Sequence, residues 1–92
     1  MEEIKKLRTA VKIPVVESES GWGRKIDDYM VCLSVEDAKK FEKEFNSRNT
    51  TSSAPNWYMQ VEGDPEPIDL DDDEMKVLLM EGRVWLSQLR RI

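Results

Sequence analysis

The sequence predicts a single α+β domain of order ββαβα, in which a three-stranded, mainly antiparallel sheet is packed by one helix and followed by a C-terminal amphipathic helix. Three observations predict it. A chain of 92 residues with 39% apolar side chains can bury one core and cannot be divided into two stable halves. Three short runs are rich in β-branched or aromatic residues or alternate with a period of two. Two further stretches space their apolar residues by three and four.

The first strand is predicted over Thr9 to Glu17, a β-branched run (TAVKIPVVE). Pro14 lacks a ladder donor and points to an edge position or a bulge, with the edge the better fit. Two glycines in SESGWGRK suit a loop, and Asp28 to Leu33 returns as the second strand, making a hairpin with a long tip that carries Trp22. Ser34 followed by Asp37 has the spacing of a helix N-terminal capping box. The helix it opens places Val35, Ala38, Phe41, Glu42 and Phe45 on one stripe, with Lys39, Lys40, Lys43 and Glu44 mainly toward solvent.

Residues 46 to 55 are polar and close on Pro55, as a loop does. Asn56 to Val61 then alternates Trp57, Met59 and Val61 against Tyr58 and Gln60, the period of a third strand. In residues 62 to 70 the two prolines Pro65 and Pro67 predict a stiff, extended connector without regular structure. A C-terminal helix is expected over residues 71 to 92, with acids in its first turn and Arg90 and Arg91 near its end. Met75, Leu78, Leu79, Gly82, Trp85, Leu86 and Leu89 fall on one face at heptad-like spacing. Gly82 leaves two alternatives: one continuous helix, or a helix that ends at Glu81 before a separate element.

The chemistry this composition excludes is extensive. The chain has no histidine, which removes the commonest general base and metal ligand together with every Ser-His or Cys-His nucleophile. Its one cysteine, Cys32, lies in an apolar strand and reads as core filling, so a reducing, cytoplasmic setting is expected. No apolar stretch reaches the length of a membrane span. Asp69, Asp71, Asp73 and Glu74 lack the spacing of a calcium loop and read as a solvated helix start. No catalytic residue, cofactor or metal site is therefore expected.

Charge is concentrated. Of the 19 acids eight lie within residues 62 to 74, which hold no base, while the rest of the chain carries 11 acids against 14 bases. Such a belt either solubilises a connector or steers a basic partner. Two surfaces follow as candidates. A partner-binding face would combine Met75, Leu78, Leu79, Trp85, Leu86 and Leu89 with Asp71, Asp72 and Asp73, because an exposed apolar stripe marks an interaction surface. A ligand-binding set would combine Gly21, Trp22, Gly23, Arg24 and Lys25 with Trp57 and Tyr58, whose rings could stack a base while the cations meet phosphate.

The stretch VVESESGWGRKIDD, the helix end FEKEFNSRN and the strand APNWYM together resemble small accessory proteins encoded by large tailed bacteriophages. The positions that carry the resemblance are Gly21, Trp22, Gly23, Asn46, Asn49, Pro55, Trp57 and Tyr58, spread over about half of the chain. The resemblance implies a setting rather than a reaction, namely a phage-infected bacterial cytoplasm in which small proteins bind and inhibit host enzymes or defence systems. The expectation is thus a non-enzymatic protein-binding module acting on a host or defence protein, itself a candidate homodimer. The alternative is an RNA- or nucleotide-binding protein using the Trp22 loop and the Trp57 and Tyr58 strand.

Overall fold

The computed structural model describes residues 8–19, 21, 23–48 and 57–90. Its elements in chain order are β1 (Arg8–Glu19), β2 (Gly23–Cys32), α1 (Val35–Arg48), β3 (Trp57–Val61), β4 (Glu66–Leu70), α2 (Asp72–Glu81), β5 (Arg83–Trp85) and α3 (Leu86–Leu89). The class is α+β with an antiparallel sheet, as expected. The expected ββαβα order is too short by two strands and one helix, and each added element has a local cause.

Strand β1 is central and not an edge. It pairs with β2 along one side and, on the other, with β3 through Val15–Glu19 and with β4 through Arg8–Lys12. Pro14 falls at the seam between those two partners. Its carbonyl accepts the Glu62 N–H at 3.2 Å across that seam. Because the N–H and C=O of one residue in an antiparallel strand face the same side, the donor Pro14 lacks would also point into the seam and no bond to β2 is lost. The register also shifts between Val15 and Val16, with Asp27 of β2 left over as a bulge residue.

The connector over residues 62 to 70 contains β4. Pro65 precedes the strand, and Pro67 sits in a strand whose only described partner is β1, a position where a missing donor is tolerated. The hairpin tip is tighter than expected, with Glu19 opposite Gly23. Gly21 and Gly23 take φ of 85° and 89°, so the chain reverses sharply and its polar flanks remain in the ladder.

The C-terminal stretch is not one helix. Helix α2 opens on a reciprocal capping box between Asp71 and Glu74 and closes at Gly82, where φ is 82° and the N–H donates to the Leu78 carbonyl at 2.7 Å. Arg83–Trp85 then pairs antiparallel with Met30–Cys32 of β2.

Helices cover both faces of the sheet. On one, Ala38 and Phe41 of α1 pack with Ile13, Val15, Met30, Cys32 and Val61, flanked by Phe45 and Trp85. On the other, Met75 and Leu78 of α2 pack with Ala10, Val31, Ile68, Leu70 and Val84, flanked by Leu86 and Leu89 of α3. Helices α2 and α3 thus build the layer opposite α1, while Trp85 of β5 reaches the α1 side. Helix α1 begins as expected, with Ser34 Oγ accepting the Asp37 N–H at 3.1 Å, but Val35 faces solvent. The molecule measures 57 × 26 × 20 Å. The twelve-residue strand β1 alone runs about 40 Å.

Candidate functional site

The buried side of α2 is already satisfied by Met75 and Leu78. Residues 77 to 80 are four apolar side chains in a row, and a helix can turn only part of such a run inward. The remainder faces out: Val77 is 42%, Leu79 58% and Met80 84% exposed. Leu79 borders a shallow hollow of about 260 Å³ shared with Asp72, Met75 and Lys76. Asp72 and Asp73 stand exposed in the first turn of the same helix. The result is a mixed outer face on which Val77, Leu79 and Met80 are spread around Lys76, with carboxylates at its N-terminal end.

The sequence-predicted partner face is redistributed by this geometry. Of its members, Leu79, Asp72 and Asp73 lie on exposed parts of α2. Met75 and Leu78 are core, and Asp71 is the helix cap. Trp85, Leu86 and Leu89 belong to β5 and α3: Trp85 meets Phe41 edge-on at 6.1 Å on the α1 side of the sheet, while Leu86 and Leu89 pack on the α2 side. Heptad spacing had aligned residues that a turn at Gly82 sends to different elements. Val77 and Met80 were missed, although the unbroken run of apolar residues at 77 to 80 was the signal for them.

The acidic belt is likewise divided. Glu62 is paired with Arg24 and Asp64 lies 3.9 Å from Lys39. Asp69 accepts from the Thr9 hydroxyl, and its carbonyl accepts from Arg90 at 2.6 Å. Arg90 also donates to Glu74 at 2.8 Å, and that hydrogen bond holds the Glu74 carboxyl below its ordinary range. Asp69 and Glu74 tie β4, α2 and α3 together, whereas Asp64, Glu66, Asp72 and Asp73 stand exposed.

A second polar centre lies beside α1. Arg83 makes a two-point contact with Asp37, at 2.8 and 3.1 Å, and reaches Glu44 at 3.2 Å. Its guanidinium lies 5.5 Å from the centre of the Phe41 ring. The hydrogen bond from Arg83 depresses the Asp37 pKa. Burial pushes the neighbouring Cys32 thiol up to about 12, with the Asp37 carboxylate adding to it. Cys32 is fully buried and fills core.

The ligand set converges in backbone register. Ser18 of β1 lies between Arg24 of β2 and Tyr58 of β3, and Glu19 lies between Gly23 and Trp57. Trp22, Asn49 and Pro55 lie outside the described residues, as does the side chain of Trp57. The hollow at this end, about 240 Å³, is bordered by Glu17 and Glu19 as well as Gly23, Arg24 and Lys25, so carboxylates share it with the cations. Asn46 has a different task. Its amide donates to the Val61 carbonyl at 3.1 Å and accepts the Val61 N–H at 2.8 Å, closing the outer side of β3 there.

Among the described residues no group of three or more acids or cysteines could hold a metal ion, and no helix is long and apolar enough to cross a membrane. Comparison with protein-family models, curated proteins and solved structures gave no significant match.

Proposed function

We propose that this protein is a non-enzymatic binding module that docks the outer face of α2 into an apolar cleft on another protein, as a phage accessory factor that inhibits a host or defence protein. One observation carries the reading: Val77, Leu79 and Met80 stand exposed on a helix whose inward side is already packed. An amphipathic helix laid in a groove uses such residues as anchors. Asp72 and Asp73 select a cleft with a basic rim and speed encounter with it. The bacteriophage setting comes from the resemblance at Gly21, Trp22, Gly23, Asn46, Asn49, Pro55, Trp57 and Tyr58.

The test is affinity capture from nuclease-treated bacterial lysate, followed by titration of the purified partner. Met80→Asp should weaken binding by roughly tenfold or more, as loss of an anchor does, while circular dichroism stays that of the wild type. Asp72→Asn with Asp73→Asn should slow association more than it speeds dissociation. A partner bound equally well by Met80→Asp rules out the α2 face.

A second reading, nucleotide or single-stranded RNA binding, is favoured by the register that brings Gly23 and Arg24 beside Trp57 and Tyr58. It requires either capture of RNA that nuclease abolishes or direct binding of a free nucleotide in titration, weakened in both cases by Trp22→Ala by about 1–3 kcal/mol, the worth of one stacked base.

A further inference from the structure

Strand β2 has ten residues, but β5 pairs with only the last three, Met30–Cys32. Beyond β5 the chain turns into α3, where Ser87 donates to the Asp28 carboxylate through its hydroxyl at 2.6 Å and its N–H at 3.3 Å. On that side of the sheet the described residues place no strand beside Gly23–Asp27. Ile26, in the middle of this stretch, is 53% exposed. It borders a hollow of about 390 Å³ whose walls include Tyr29, Leu86 and Arg90. An open strand with an exposed isoleucine is a template for another strand.

The order of residues along this edge says which strand. Gly23, Arg24, Lys25, Ile26, Asp27, Asp28 and Tyr29 place two cations before the isoleucine and two carboxylates after it. An antiparallel copy of the same segment, turned about Ile26 and carrying its own Asp27 bulge, sets isoleucine against isoleucine and brings the cations of each chain toward the carboxylates of the other, though not in a strictly regular ladder. Opposite charges facing across strands are favourable, and like charges are not. Parallel pairing in the same register would set like against like at every charged position. Gly23 of the second copy arrives beside Tyr29 and α3, where it brings no side chain. Arg24 is engaged with Glu62 and Asp28 with Ser87, so Lys25 and Asp27, both exposed, are the pair left to act across the edge.

We infer that two copies of this chain join through the β2 edge, antiparallel about Ile26, to form one continuous sheet with twofold symmetry. A two-fold contact is self-complementary, so each copy contributes one Lys25 and one Asp27, and the pair between them forms twice. The proposal is independent of the α2 face and of what that face binds.

Charge exchange tests it. Lys25→Glu makes the edge acidic on both sides of Ile26, and Asp27→Lys makes it basic, so neither variant complements itself. The two complement each other. In sedimentation equilibrium the wild type should be a dimer, each variant alone should dimerise about tenfold more weakly or worse, and an equimolar mixture should recover wild-type dimerisation as a heterodimer. A wild type that remains monomeric at every concentration overturns the proposal. So do variants that dimerise as tightly as the wild type, or a mixture no tighter than its components.

Discussion

Arg83 joins groups that lie far apart in the chain. Its partners Asp37 and Glu44 are 46 and 39 residues away, on a helix packed against the sheet, and Phe41 lies beneath the guanidinium. Replacing Asp37 with Asn keeps the shape and removes the charge from the two-point contact, which should cost about 1–3 kcal/mol of stability. The pH dependence follows from the depressed pKa of Asp37. A carboxyl whose folded pKa lies below its unfolded value, near 3.9 for Asp, stabilises fully above that value and loses the contribution as pH falls through the folded pKa. The difference between wild type and Asp37→Asn, measured by urea unfolding, should therefore be greatest near neutrality and shrink below about pH 4. A difference that stays constant through that range would mean the charge contributes nothing. None of these pairings was legible beforehand, because a salt bridge between residues so far apart leaves no pattern in the chain. The Ser34 cap was legible because it is completed within three residues, at Asp37.

At the scale of elements, what could be read was what local rules decide. The hairpin, α1 and β3 follow from period and capping, and the structure contains all three. Strands β4 and β5 escaped for opposite reasons. The prolines of β4 argue against any strand, and only its place on the outer side of β1 makes Pro67 tolerable. In β5, Val84 and Trp85 follow one helix and precede another, and their spacing continues the pattern of α2. Gly82 decided between the two alternatives that the sequence left open. No atom of its surroundings lies within 4 Å of where a β-carbon would stand, so its requirement is purely conformational. Gly82→Ala should accordingly cost about 1–3 kcal/mol through the positive φ alone. In urea unfolding the midpoint should fall while the slope stays unchanged; a variant as stable as the wild type would show that the turn accepts a side chain. The candidate face on α2 was half legible. Acids at 71 to 73 and apolar residues beyond them were evident, but which of the apolar residues face out depended on where the sheet lies.

The whole molecule has two half-cores on opposite faces of one sheet, and β1 and β2 contribute to both. Ala10 and Val31 face α2, while Ile13, Val15, Met30 and Cys32 face α1. Neither half can open without uncovering strands that the other needs. Leu78→Ala on one face and Phe41→Ala on the other should thus lower the same single transition, by about 2–5 and 3–5 kcal/mol. For a chain of this length, whose total stability is of order 5–14 kcal/mol, either loss is severe. Coincident unfolding curves by tryptophan fluorescence and circular dichroism would bear this out; separate transitions for the two variants would show independent halves.

Pro14 marks the point where β1 passes from one partner strand to the other, and that arrangement has a consequence for synthesis on the ribosome. The α1 side of the sheet can begin to assemble once Phe45 has emerged, since Ile13, Val15, Met30, Cys32, Ala38 and Phe41 all precede it. The opposite side of the same strands must wait for Ile68, Leu70, Met75, Leu78 and Val84. Throughout that interval Ala10 and Val31 present an uncovered apolar surface, on a hairpin whose edges are still unpaired. A nascent chain in this state is what chaperones bind. The strand made first thus waits for the C-terminal half before its second face is covered.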